Sequence, residues 1–198
     1  TLTIPMGLRN IDKITYRMVR LDRQQLMDLL SAEDRNWLWG KNSDWSGPSF
    51  TINKSETPTQ PRNETYTYQL NIKEALANRK FGFVYYQVDL SAEGKTYERR
   101  GLVQVTNLGT TAKFSPVNSR FLATSLDKAE LLSGVEATIL DEKGRPVWQG
   151  QSDKNGLIEA PGWSDLLGVE SKTDSYYSPQ LHLFLKNGED EAYGEIGR

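Results

Sequence analysis

The sequence contains no cysteine and a single histidine, His182. Without cysteine there is no disulfide framework, no thiolate nucleophile, no Cys-ligated zinc and no iron–sulfur cluster. One histidine forbids any site with two histidine ligands, and it forces any Ser-His-Asp triad through that residue. Basic charge is not in excess: 24 Lys+Arg stand against 26 Asp+Glu, a net charge of −2. The electrostatic footprint of a nucleic-acid binder is therefore missing, and no nucleic-acid partner is expected. No run reaches the ~20 apolar residues of a membrane span. Glycine-rich phosphate loops of either common spacing are absent, so no cofactor is expected.

What the chain does have is strand signal. Residues Ile14 to Arg20 and Thr65 to Ile72 alternate in polarity with period two, and Phe81 to Leu90 is a longer run with aromatics at both parities. Such alternation marks antiparallel strands with one face on a core. Helical spacing occurs in Arg23 to Ala32, where Leu26, Met27, Leu29 and Leu30 recur on one side and Asp22 is placed to cap. A short turn is expected over Lys73 to Ala77. Residues 36–61 are polar and rich in Gly and Pro, and read as a long loop broken by a short strand at Ser49 to Ile52. After Val105, strand-length segments at Arg120–Ser125, Val135–Leu140, Pro146–Gln149 and Leu157–Ala160 are separated by evenly spaced turns, the pattern of a β-sandwich. Two of those turns, Asp141 to Gly144 and Asp153 to Gly156, place Asp for side-chain bonds to the turn and Gly for positive φ. They lack the ligand spacing of a calcium loop, and no metal is expected.

Fold expectation follows from these signals. The chain reads as all-β, with two successive antiparallel β-sandwich domains. The first covers 1–105, with a helix at 23–32 and the loop at 36–61; the second covers 106–198. The opening Thr1-Leu2-Thr3 has no initiator Met and no signal h-region, and reads as a processed product or an excised piece of something longer.

The run Gly101-Leu102-Val103-Gln104-Val105-Thr106-Asn107-Leu108-Gly109 resembles the "VTDLG" junction of bacterial α2-macroglobulin-like proteins, which closes one macroglobulin domain and opens the next. Leu132 to Asp141 is similar to that family's "L-x-G-V-x-V-x-L" strand, and Gly144 to Gly156 to its "G…G-x-T-D-x-x-G" hairpin. Phe81 to Val84 resembles a strand near the end of the preceding domain. Asn107 departs from the usual Asp while keeping the side-chain acceptor. The resemblance implies macroglobulin-type domains of a larger protease-trapping protein of the bacterial cell envelope, periplasmic or lipid-anchored. Flanking domains of that parent would be the direct partners, and target proteases would be engaged only through the whole parent. Capture through a thioester needs cysteine, so this piece lies outside the reactive domain. The implied role is a non-catalytic scaffold, with Val105, Thr106, Asn107, Leu108 and Gly109 as the domain junction.

Three other features compete for a function. Trp37, Trp39 and Trp45 form a local cluster that offers stacking area for a partner or glycan; the simpler account is that they cover an exposed sheet edge. They carry the rival reading, an Ig-like binding module of a surface adhesin or carbohydrate-binding protein. Glu189-Asp190-Glu191 with Glu195 invites a paired-carboxylate hydrolase, yet beside Gly188, Gly194 and Gly197 the run reads as a solvated tail or interdomain linker. His182 stands in the alternating Leu181 to Leu185, half-buried by pattern, with no recognisable serine elbow to serve as its nucleophile.

Overall fold

The computed structural model describes residues 2–31, 47–168 and 180–196. The chain divides into two compact units, Thr1–Val105 and Thr106–Arg198. Among the described residues every strand pairing is antiparallel.

In the first unit the elements run β1 (Thr3–Arg9), β2 (Lys13–Leu21), α1 (Arg23–Ser31), β3 (Ile52–Glu56), β4 (Thr65–Asn71), a 3₁₀ turn (Lys73–Leu76), β5 (Gly82–Ala92) and β6 (Lys95–Val105). They form a two-stranded sheet, β1-β4, and a four-stranded sheet in the order β3-β2-β5-β6. Period-two alternation gives the larger sheet two buried faces. Ile14, Tyr16, Met18, Val84, Val88 and Leu90 join Leu8, Leu70 and Leu76 in one core. The opposite parity buries Val19, Leu21, Phe83 and Tyr85. Phe50 stacks on Tyr85 at 6.2 Å on that side, and Arg17 lies over the Phe50 ring while pairing with Asp89 at 2.8 Å. Helix α1 begins with a reciprocal cap: the Gln25 N–H donates to Asp22 Oδ1 at 2.8 Å and the Asp22 N–H donates to Gln25 Oε1 at 3.0 Å. Of the four apolar residues its spacing marked, Leu26 and Met27 are fully buried and Leu29 and Leu30 are half-buried.

The second unit contains β7 (Leu108–Phe114), β8 (Asn118–Ser125), β9 (Glu136–Leu140), β10 (Pro146–Gln151), β11 (Leu157–Pro161), α2 (Trp163–Leu167), β12 (Leu181–Asn187) and β13 (Asp190–Ile196). A three-stranded sheet, β11-β8-β7, and a four-stranded sheet, β10-β9-β12-β13, enclose one core. Phe121, Ala123 and Ile158 meet Ile139, Leu183 and Leu185 there, the arrangement of a β-sandwich. The all-β expectation is met.

Three expectations are corrected. The short strand placed at Ser49 to Ile52 lies instead at Ile52–Glu56. It is an edge strand whose Asn53 to Glu56 are all exposed, so it carries no apolar alternation to find. The acidic run from Glu189 is no solvated tail. From Asp190 to Ile196 it forms β13, paired with β12 from Asn187↔Asp190 to Leu181↔Ile196. The connection is a two-residue hairpin with Gly188 at φ 63°, the first-position glycine of a primed turn. His182 is buried rather than half-buried, at 2% exposure.

Candidate functional site

The best-defined polar arrangement in the second unit surrounds its first residues. Val105 ends β6, paired with Gly82 and packed against the first unit's core. The four residues after it each have a separate physical task. The Thr106 hydroxyl donates to Asp190 Oδ1 at 2.6 Å and accepts from the Leu108 N–H at 3.0 Å. The Asn107 N–H donates to Asp190 Oδ2 at 2.8 Å. Both carboxylate oxygens of Asp190, itself 6% exposed, are therefore engaged by the junction. These are charge-assisted bonds, the stronger class, and a buried carboxylate requires such donors.

Asn107 works in the other direction as well. Its Nδ2 donates to Asp127 Oδ1 at 2.8 Å, and its Oδ1 accepts from the Asp127 N–H at 2.9 Å. Its carbonyl accepts from the Leu126 N–H at 2.8 Å. The junction thereby clasps the loop that follows β8. Leu108 is the first core residue of the sandwich, 4% exposed. At Gly109 a Cβ would stand 2.8 Å from both Leu126 Cδ2 and Thr124 Oγ1, so a larger residue would push those side-chain ends aside.

An amide at position 107 suits this geometry. Its partner is Asp127, and a carboxylate at 107 would face a carboxylate. Two acidic residues that the sequence reading did not connect to the junction, Asp127 and Asp190, complete it. They lie 20 and 83 positions away along the chain, and no local spacing signals such contacts.

The other singled-out residues do not assemble into a reactive centre. His182 Nδ1 is 3.0 Å from the Tyr193 hydroxyl, and the two rings stack at 5.8 Å. Phe184 contacts the same Tyr193 ring at 5.3 Å. Glu191 and Glu195 stand on β13 with Asp190, whose carboxylate is committed to the junction. Asp141 and Asp153 serve their turns. Burial alone would raise the Asp141 carboxyl, yet N–H bonds from Arg145 and Lys143 and the Arg145 guanidinium hold it below the usual range. The N–H groups of Leu157 and Asn155 do the same for Asp153. Among the described residues no three His, Asp or Glu side chains gather as a metal-holding group. Trp37, Trp39 and Trp45 lie outside the described residues.

The fold and the junction together define a class: two successive antiparallel β units joined at a hydrogen-bonded start to the second. Solved structures narrow that class. A crystal structure of native alpha-2-macroglobulin from Escherichia coli spanning domains NIE-MG1 superposes with a TM-score of 0.69 at 17% identity, covering 98% of this chain and 88% of that one. The E. coli structure spanning MG0-NIE-MG1 gives 0.65 at 14% identity, over 98% of this chain and 58% of that one. A Salmonella alpha-2-macroglobulin gives 0.59 at 15% identity, over 98% of this chain and 10% of that one. The chain thus has the fold of a segment of bacterial alpha-2-macroglobulin and spans about a tenth of the Salmonella chain's length. No protein-family model matches the chain, and no curated protein matches it. Among the described residues no helix is long and apolar enough to cross a membrane.

Proposed function

We propose that the chain is a non-catalytic scaffold segment of a larger protease-trapping protein of the bacterial envelope. Its units would stand, in order, where the E. coli structure has NIE and MG1. The observation that carries this reading is fold likeness across 98% of the chain to a structure spanning those two domains. The junction supports it. A start of the second unit held by Asp190 and Asp127 gives that sandwich a fixed chain entry, as a module that transmits forces between neighbours requires. In this role the chain's partners are the flanking domains of its parent, and a protease is met only by the assembled molecule. The parent would be exported, periplasmic or lipid-anchored.

The test is the size and place of the native product. An antibody raised against the chain should detect, in an envelope fraction of the source cells, a polypeptide several times larger than 22.5 kDa. A native band at the mass of the chain alone, or one confined to the cytosolic fraction, would refute the scaffold reading.

A further inference from the structure

The first unit carries a slot that the scaffold role leaves unused. A cavity of about 230 Å³ lies between β4 and the segment after β3, lined by Tyr66 to Gln69 on one side and Glu56 to Gln60 on the other, with Ile14 also in its wall. Successive residues of a strand point to opposite faces. Four consecutive residues can line one cavity only if the cavity lies along the strand's edge. The other edge of β4 is occupied by β1, residue for residue from Thr3↔Asn71 to Arg9↔Thr65. The slot therefore runs along the free edge of β4, the kind of edge that takes an added strand.

Its polar groups have a definite character. Glu56 accepts from the Tyr16 hydroxyl at 3.0 Å and from the Tyr68 hydroxyl at 3.1 Å. Burial, and then Glu56 itself, push the Tyr16 hydroxyl up to about 12 and raise that of Tyr68, so both phenols stay protonated and donate. The carboxylate is thus held by two neutral donors. The nearby cation, Lys54, is paired with Glu74 at 2.5 Å, and among the described residues no Lys, Arg or His lines the cavity. The volume is below the roughly 300–1,000 Å³ of small-molecule sites, so the slot is small for a cofactor.

We propose that the free edge of β4 receives an extended peptide segment bearing a lysine or arginine, whose cationic head meets Glu56. The segment's backbone pairs with β4 along that edge. The basic side chain lays its methylene stem against Ile14 and the tyrosine rings, as long cationic side chains do on apolar surface. This inference is independent of the scaffold reading.

The probe is the acetylated, amidated hexapeptide of sequence TVKVTV, titrated into the whole chain by calorimetry and by amide chemical-shift mapping. Binding is expected, with shifts centred on residues 66–69. Replacing the peptide's lysine with glutamate should weaken it at least tenfold, and so should N-methylation of alternate peptide amides. In the protein, Glu56→Gln should weaken binding of the lysine peptide at least tenfold, and Glu56→Lys should shift preference to the glutamate peptide. Should either variant unfold, the peptide series on the native chain decides alone. Four results would overturn the proposal: no binding of the lysine peptide, equal binding of the glutamate peptide, shifts centred on another edge such as β6, or equally tight binding of N-acetyl-lysine methylamide. The last would make the slot a simple amine site.

Discussion

Asp190→Ala should destabilise the second unit by about 3 kcal/mol, because each hydrogen bond to a buried charged group is worth about 1.5–3 kcal/mol and two donors lose their acceptor together. The donors are the Thr106 hydroxyl and the Asn107 N–H. Leu108 directly follows them and starts the sandwich core, so the loss should spread into β7. Native-state hydrogen exchange on the intact chain separates this from global damage. Protection should fall in β7, β12 and β13, while β2 and β5 of the first unit keep theirs. Asp190→Asn, which retains an acceptor, should cost less than half as much. An effect of alanine within 0.5 kcal/mol, the range of an ordinary surface substitution (about 0.5 kcal/mol), would mean that Asp190 does not hold the junction.

Asn107→Asp is expected to cost about 2 kcal/mol at neutral pH, since it removes a donor and confronts two carboxylates. The pH dependence follows from linkage. A like charge raises one carboxyl's folded pKa above its unfolded value of about 3.9, so the folded state binds more protons than the unfolded one across that window. The penalty should grow as pH rises above about 4 and disappear below it. Unfolding by urea at a series of pH values reads this directly. Adding Asp127→Asn should restore stability, because the exchanged pair again has one carboxylate and one amide with roles reversed. A double-mutant cycle without coupling would show that the two side chains do not act as a pair.

How far the sequence revealed the fold depended on how much core each element touches. Strands β2, β4, β8, β9 and β11 bury or half-bury largely alternate residues, and their alternation was visible; β5 and β12 bury consecutive residues and were visible as apolar runs of strand length. Edge elements were not. In β1, Pro5 and Gly7 interrupt the pattern, which an edge strand tolerates and a central strand does not. In β3 the residues Asn53 to Glu56 face solvent. In β13 the acidic residues concealed Ala192 and Ile196, both buried in the sandwich core. Helix α2 has 5 residues, too few to show a period. The candidate site divides the same way. Thr106 to Gly109 could be picked out because they are contiguous and resemble a known junction. Their partners could not, since Asp190 reaches Thr106 across 84 positions. The slot beside β4 is still less visible, because it is assembled from edges of two separate segments and from tyrosines that read as ordinary strand residues.

The scaffold account makes the isolated chain inert and the parent active. The most direct measurement incubates a broad-specificity protease with each, then follows cleavage of casein and of a small chromogenic peptide. The full-length product should withhold the protease from casein while leaving the small peptide accessible, and the 198-residue chain should change neither rate. Inhibition by the chain alone, or a full-length product that protects neither substrate, would contradict the account.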